Sequence, residues 1–281
     1  MATRKKLIIF LICFFIVQTC GCASLRKKHE TKIEPGKEAV AERTVIESGT
    51  KPIIGEIFYY KVHWLGLNVG DASLGIQGKV DLNGRSAYHI IMRASTNKFF
   101  SFFYNVQGTV ESYVDAKDFR PLRHNAQTII NNKKVFKKMD YDFDALLVYA
   151  EDKKGKYTVE IPKDVLDPLG VFYYFRRNSV AFDEPIELTI NGGKKNFSVT
   201  VFVQDERMIH TPAGRFLAFR VKPTTQSERQ FDDSLNAPGT MTIWFSADER
   251  HVPLLVTLKV PFGTAQAVLN KIQVNELTTN N

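Results

Sequence analysis

From Gly55 onward apolar residues fall on every second position in a succession of short runs, each closed by turn residues. A chain patterned this way buries one face of each run and must fold as antiparallel strands. Phe58, Tyr60, Val62 and Trp64 share one face of a first strand. The stretch Leu65-Gly66-Leu67-Asn68-Val69-Gly70-Asp71 leads into a second, with Ala72, Leu74 and Ile76 inward. Further strands are expected at about 86–96, 105–115, 121–130, 134–143, 146–152 and 156–161, then at 185–191, 196–207, 214–223, 239–247, 252–260 and 264–275. Asn83-Gly84, Asp115-Ala116-Lys117-Asp118, Asn131-Asn132 and Lys154-Gly155 supply the turns. Links this tight join antiparallel neighbours. The expected fold class is all-β: an antiparallel curved sheet or barrel-like body, either continuous or in two lobes.

Landmarks repeat along the chain. Gly84-Arg85 opens a strand and Gly214-Arg215 opens another 130 residues later. The run Asp115 to Leu122 is echoed by Ala247 to Leu254, with the Pro-Leu pairs 132 residues apart. Asn131-Asn132 meets Pro261-Phe262-Gly263 at a similar offset. These offsets predict two similar β halves, at 53–161 and 179–276, with a connecting helix in 162–178. Asp167 is placed to cap that helix, Pro168 suits its first position, and Leu169, Phe172, Tyr173 and Arg176 share a face.

Ahead of the β body stands a different kind of segment. Arg4-Lys5-Lys6 precedes 11 apolar residues, Leu7 to Val17, and then Gln18-Thr19-Cys20-Gly21-Cys22. Eleven residues are too few to span a bilayer as a helix, which needs roughly 20, and a basic start fits an export signal. Residues 1–21 resemble a bacterial lipoprotein signal peptide, with Thr19 where the lipobox usually has Leu. That likeness implies cleavage after Gly21 and a lipid on Cys22. Ala23, in place of Asp, then implies the outer membrane, facing the periplasm. Residues 22–52 mix Lys, Arg and Glu with no aromatic residue, and are expected to form a disordered tether.

Cys13, Cys20 and Cys22 are the only cysteines. The β body therefore has no thiol for a disulfide, a zinc site or a nucleophile, and depends on its core. Removing residues 1–21 takes three of the 38 Lys and Arg and none of the 30 Asp and Glu, leaving an excess of five positive charges. That mild excess attracts anionic lipid or glycan weakly and gives no argument for nucleic acid.

Chemical motifs are sparse. The six histidines, at 29, 63, 89, 124, 210 and 251, show no metal-binding spacing, and each reads as a solvated or hydrogen-bonded strand residue. Asp140, Asp142 and Asp144 alternate with Tyr141 and Phe143, as a wet face does over a buried one. No nucleophile elbow, phosphate loop or dinucleotide fingerprint is present, so no catalytic residue, metal or cofactor is expected. Lys133-Lys134 and Lys137-Lys138 around Val135-Phe136 read as a solvated edge protected by lysines. The aromatic runs Phe99 to Tyr104 and Val171 to Phe175 are denser than one sheet face needs, and the second ends in Arg176-Arg177. Phe102, Phe103, Phe172, Tyr173 and Arg176 are accordingly the expected lining of an apolar cleft open at Arg176, suited to an acyl chain with an anionic head.

Gly55-Glu56-Ile57-Phe58-Tyr59-Tyr60, Trp64-Leu65-Gly66-Leu67-Asn68-Val69-Gly70, Ala94 to Tyr104, Glu111 to Asp115 with Arg120-Pro121-Leu122-Arg123, Ile161-Pro162, Asp167-Pro168-Leu169 with Phe172-Tyr173-Tyr174 and Arg176, and Ile243-Trp244-Phe245 carry a resemblance. Over about residues 53–275 the chain resembles a family of bacterial envelope proteins catalogued as domain of unknown function 3108. That resemblance implies export and a β-rich body, and brings no catalytic residue. The expected function is a non-enzymatic lipoprotein of the cell envelope, anchored in the outer membrane by its lipid, that binds an apolar or amphipathic ligand or an envelope-assembly partner. Lipid, glycan and envelope protein are the partner classes. The alternatives are a hydrolase or lyase acting on cell-wall or surface glycan, and a structural scaffold.

Overall fold

The computed structural model describes residues 45–46, 53–225, 241–260 and 263–275. Cys22, the export signal and nearly all of the expected tether lie outside the described residues. In chain order the elements are β1 (Val45–Ile46), β2 (Glu56–Trp64), β3 (Leu67–Leu82), β4 (Arg85–Thr96), α1 (Lys98–Phe103), β5 (Val106–Asp115), β6 (Pro121–Ile130), β7 (Lys133–Asp142), β8 (Leu147–Asp152) and β9 (Gly155–Glu160), then α2 (Gly170–Arg177), β10 (Val180–Ala181), β11 (Pro185–Asn191), β12 (Asn196–Thr211), β13 (Gly214–Thr225), β14 (Met241–Ser246), β15 (Pro253–Val260) and β16 (Gly263–Val274).

Fourteen strands make one antiparallel sheet in the order β11-β12-β13-β14-β15-β16-β2-β3-β4-β5-β6-β7-β8-β9. The two halves join where β16 pairs with β2, so the body is one curled sheet and not two lobes. β1 and β10 form a separate pair, with Ile46 buried. The last part of the expected tether is thus fastened to the body at Ile46, because that side chain has an apolar site to fill. α1, within the run Phe99 to Tyr104, is a helix that strand periodicity does not predict. Asn97 caps it by accepting from Phe100 N at 2.9 Å.

The halves correspond in backbone detail. β3 and β12 have 16 residues each, and β4 and β13 have 12 each. The β5–β6 pair slips its register at Val114↔Pro121, and the β14–β15 pair does so at Phe245↔Pro253. Positive φ recurs at Phe119 and His251. Asp115 N donates to Arg120 O and Ser246 N to Val252 O, while Ala116 N donates to Ser86 O and Ala247 N to Leu217 O. One corner is therefore built twice. The bulge turns the strand so that Leu122 and Leu254 enter the core.

The sheet is not closed. Its edges, β9 and β11, are joined by the crossover at 161–169. Leu166 makes a parallel bridge with Ile190, its N–H donating to Thr189 O and its carbonyl accepting from Asn191 N. Asn196 Nδ2 donates to Glu160 O at 2.7 Å, which ties the start of β12, beside the β11 edge, to the end of β9. Backbone groups on an exposed edge invite pairing with another chain, and this seam satisfies part of them internally.

A ring of eight strands is just filled by its own side chains, whereas a much larger one leaves a lumen. Here α2 occupies the interior. It begins at Gly170, whose N–H is held by Asp167 Oδ1 at 2.8 Å. Tyr173 and Phe175 are fully buried among Phe58, Phe219 and Phe245. Arg176 is buried too, its guanidinium 4.8 Å from the Phe58 ring centroid and 2.6 Å from Glu56 Oε2. Removing one partner of a buried ion pair costs about 3–5 kcal/mol, because the other is left uncompensated. Glu56→Ala is therefore expected to lower stability by about that amount, and Glu56→Leu combined with Arg176→Met to restore most of it. Urea denaturation of the wild type and the two variants checks this; equal losses in the single and double variants would show that the pair is not what Arg176 depends on.

Candidate functional site

A groove among the described residues lies outside the curl. Along β2 to β6 the odd-numbered residues face away from the core, and cross-strand pairing sets them in two rows. Tyr59, Ser73, Arg93, Thr109 and Gln127 are successive partners in one row. Lys61, Asp71, Ser95, Gln107 and Ile129 are successive partners in the next. Ser73, Ser95 and Thr109 are short, and between them and the longer flanking side chains the sheet surface sinks into an open groove of about 540 Å³. Four strand spacings give the track a length of about 19 Å. Its polar groups are planar or small: the Arg93 guanidinium, the Gln107 and Gln127 amides, three hydroxyls and Asp71, which Lys61 neutralises at 2.6 Å. Tyr59 closes one end and Ile129 the other.

The five residues expected to share an apolar cleft are not brought together. Phe102 and Phe103 sit on α1, beyond the end of β4, and are 86% and 62% exposed. Phe172, Tyr173 and Arg176 sit on α2 at the other end of the strands, where Arg176 meets Glu56 at the start of β2 and Tyr173 lies 6.2 Å from the Phe119 ring. Tyr173 and Arg176 are buried, and Phe172 packs against the same core. The second aromatic run is the filling of the curl, while Phe99, Phe102 and Phe103 of the first form an uncovered tip and Tyr104 joins the core.

A match to a family model decides the kinship. The model described as a protein of unknown function, DUF3108, matches residues 59–270, three quarters of the chain. The chain belongs to this family. No curated protein matches it. Among solved structures, a β-barrel-like protein of domain of unknown function DUF1849 from Brucella abortus is similar with a TM-score of 0.53 and 10% identity, over 80% of this chain and 99% of that one. That likeness shows the all-β, barrel-like fold. A candidate lipoprotein from Parabacteroides distasonis is more distant, with a TM-score of 0.31 and 10% identity over 83% and 100% of the two chains.

This DUF3108 chain also contains polar groups that strand patterning alone does not reveal. His124 Nδ1 lies 2.6 Å from Asp167 Oδ2, and Ser112 is the cross-strand partner of His124. Ser, His and Asp thus converge, but all three are 0% exposed. Asp167 holds the first turn of α2 with one oxygen and His124 with the other, so the pair fastens the helix to β6. His251 Nδ1 holds Phe175 O at 2.6 Å and fastens the helix at its other end. His89 stacks on Tyr113 and pairs with Glu111 at 3.1 Å. Asp140 pairs with Arg123, while Asp142 Oδ1 accepts from Asp144 N and Ala145 N in a turn. Among the described residues no three His, Cys, Asp or Glu side chains converge to hold a metal ion.

Lys137 corrects the reading of the lysine-rich hairpin as a solvated edge. β7 is an inner strand, paired with both β6 and β8, and the inward phase carries Lys137 to 4% exposure. Its Nζ donates to Gly192 O at 2.6 Å, across the seam. Burial pushes its pKa down from 10.5 to about 7, against the opposing pull of Asp152. Between about pH 7 and pH 10 the unfolded chain therefore holds a proton that the folded chain lacks, and stability rises with pH through that window. Lys137→Met removes this contribution. Urea midpoints taken across the window are expected to climb more steeply in the wild type than in Lys137→Met; parallel pH dependences would contradict the assignment.

Proposed function

We propose that the chain is a non-enzymatic lipoprotein of the cell envelope that holds a polar, glycan-like chain along the outer face of β2 to β6. The two-row groove carries this reading. Sugars are recognised by planar groups that meet paired hydroxyls and by an aromatic ring against the pyranose face, and the track presents Arg93, Gln107, Gln127 and Tyr59. An acyl chain fits this surface poorly, since Tyr59 and Ile129, at its two ends, are the only large apolar side chains that line it. Placement in the envelope, through export and lipidation at Cys22, rests on the resemblance of residues 1–22 to a lipoprotein signal. The outer membrane is the expected destination because Ala23 follows that cysteine. The rival reading as a glycan hydrolase calls for two carboxylates flanking the scissile bond, and the groove offers one, Asp71, which pairs with Lys61.

The test is binding of chito-oligosaccharides and of soluble cell-wall muropeptides, followed by calorimetry. Each hydrogen bond lost is worth about 1 kcal/mol, so Arg93→Ala with Gln107→Ala is expected to weaken binding at least about tenfold without changing stability. Tyr59→Ala should act in the same direction. Failure of every such saccharide to bind, or binding indifferent to all three changes, would refute the groove as the site.

A further inference from the structure

One end of the sheet presents apolar side chains that nothing among the described residues covers. There β2 turns into β3 at Leu65-Gly66, β4 runs into α1, and β6 turns into β7 at Asn131-Asn132. Hydrogen bonds lock these three links together. Asn97 N donates to Val69 O at 3.0 Å and its Nδ2 to Asn68 O at 2.8 Å, while Asn105 N donates to Asn131 Oδ1 at 2.9 Å. Upon this ordered base Leu65, Leu67, Phe99, Phe102 and Phe103 are 61%, 59%, 69%, 86% and 62% exposed. The rings stack edge to face on one another, Phe99 on Phe103 at 5.7 Å and Phe102 on Phe103 at 5.2 Å, instead of packing downward. Scattered exposed apolar residues are ordinary; a contiguous set of five on one tip marks an interaction surface.

Charge identifies the partner. Residues 62–70, 94–109 and 126–139, which build this end, contain no Asp or Glu. They contribute Lys98, Lys133 and Lys134, all exposed around the tip. At the opposite end the turns carry Asp81, Asp115, Asp118, Asp142 and Asp144. Those turns also carry Arg85, Lys117 and Arg120, with Arg85 paired to Asp144 and Arg120 to Asp118, so what sets the three segments of the tip apart is basic residues with no acidic ones beside them. A projecting tip of Phe and Leu ringed by lysine matches the boundary of an anionic bilayer, where rings enter the acyl region and ammonium groups meet phosphates.

We propose that this end docks on an anionic phospholipid surface, with Phe99, Phe102, Phe103, Leu65 and Leu67 inserted and Lys98, Lys133 and Lys134 at the headgroups. The occupant is a bilayer because a side chain as far out as Phe102 seats in a fluid interface without a matching pocket. The 22 residues between Cys22 and Val45 can extend to about 75 Å, enough to let a lipid-anchored body turn either end to the membrane. The inference does not depend on the groove or its ligand.

The test uses the full-length chain with its three native cysteines changed to serine and an environment-sensitive dye on Phe102→Cys or, at the opposite end, on Lys117→Cys. Vesicles of phosphatidylethanolamine are compared with and without phosphatidylglycerol. The dye at position 102 is expected to shift to the blue and to be quenched by brominated lipid, more strongly when phosphatidylglycerol is present, while the dye at 117 stays in water. Each lysine near such a surface contributes about 1 kcal/mol, so replacing Lys98, Lys133 and Lys134 together by glutamine should weaken docking on the order of 100-fold, with an unchanged circular dichroism spectrum. Equal solvent exposure of 102 and 117 on vesicle-bound protein overturns the proposal. So does shielding of 102 that needs no vesicles and grows with protein concentration, which would make the partner a second copy of the chain.

Discussion

Filling the curl is the constraint on which the structure depends. Fourteen strands enclose more space than their own inward side chains occupy, and without cysteines in the body no covalent link can hold a loosely filled shell. α2 meets that requirement by placing Tyr173, Phe175 and Arg176 against side chains from both halves of the sheet. Two polar struts hold it there, Asp167 with His124 at its start and His251 with Phe175 O near its end. The seam depends on the same segment, since Leu166 bridges to β11 just before the helix begins.

Once the interior is committed to the helix, the surfaces left open among the described residues are on the outside. The groove over β2 to β6 exists because Ser73, Ser95 and Thr109 are short where their row neighbours are long. The uncovered tip exists because α1 caps its own backbone through Asn97 and spends none of its phenylalanines on the core. Both surfaces are made by the first half. In the second half β12 to β16 repeat the plan of β3 to β7, but β13 leads to β14 through residues 226–240, which lie outside the described residues, and no counterpart of α1 is described there.

Much of this was legible in the residues. Alternation located the strands, the glycine and asparagine turns located their reversals, and the offset between Pro121-Leu122 and Pro253-Leu254 revealed a corner that recurs down to its bulge. Asp167 was recognisable as a residue that holds the start of the helix, although the helix begins two residues later than expected, at Gly170 with Leu169 at its N-cap and Pro168 ahead of it. Less legible was anything fixed by contacts between distant segments. The run Phe99 to Tyr104 has the composition of a core, and only their position past the end of β4 exposes Phe99, Phe102 and Phe103. Lys137 has the sequence context of a solvated lysine, yet the pairing of β7 on both sides turns it inward. His124 and Asp167 stand 43 residues apart and meet only because the crossover folds back under β6. The groove likewise combines five strands, each unremarkable in polar alternation.

The central claim is that, among the described residues, a helix and not an apolar ligand fills the curl. Hydrogen exchange of Gly170 to Arg177, with and without a saturating long-chain fatty acid, tests it most directly. The account predicts amides that exchange as slowly as those of the inner strands and do not respond to the fatty acid. Fast exchange in the free protein that slows when the fatty acid is added would contradict it, since the helix would then be a plug that yields to a ligand within the curl.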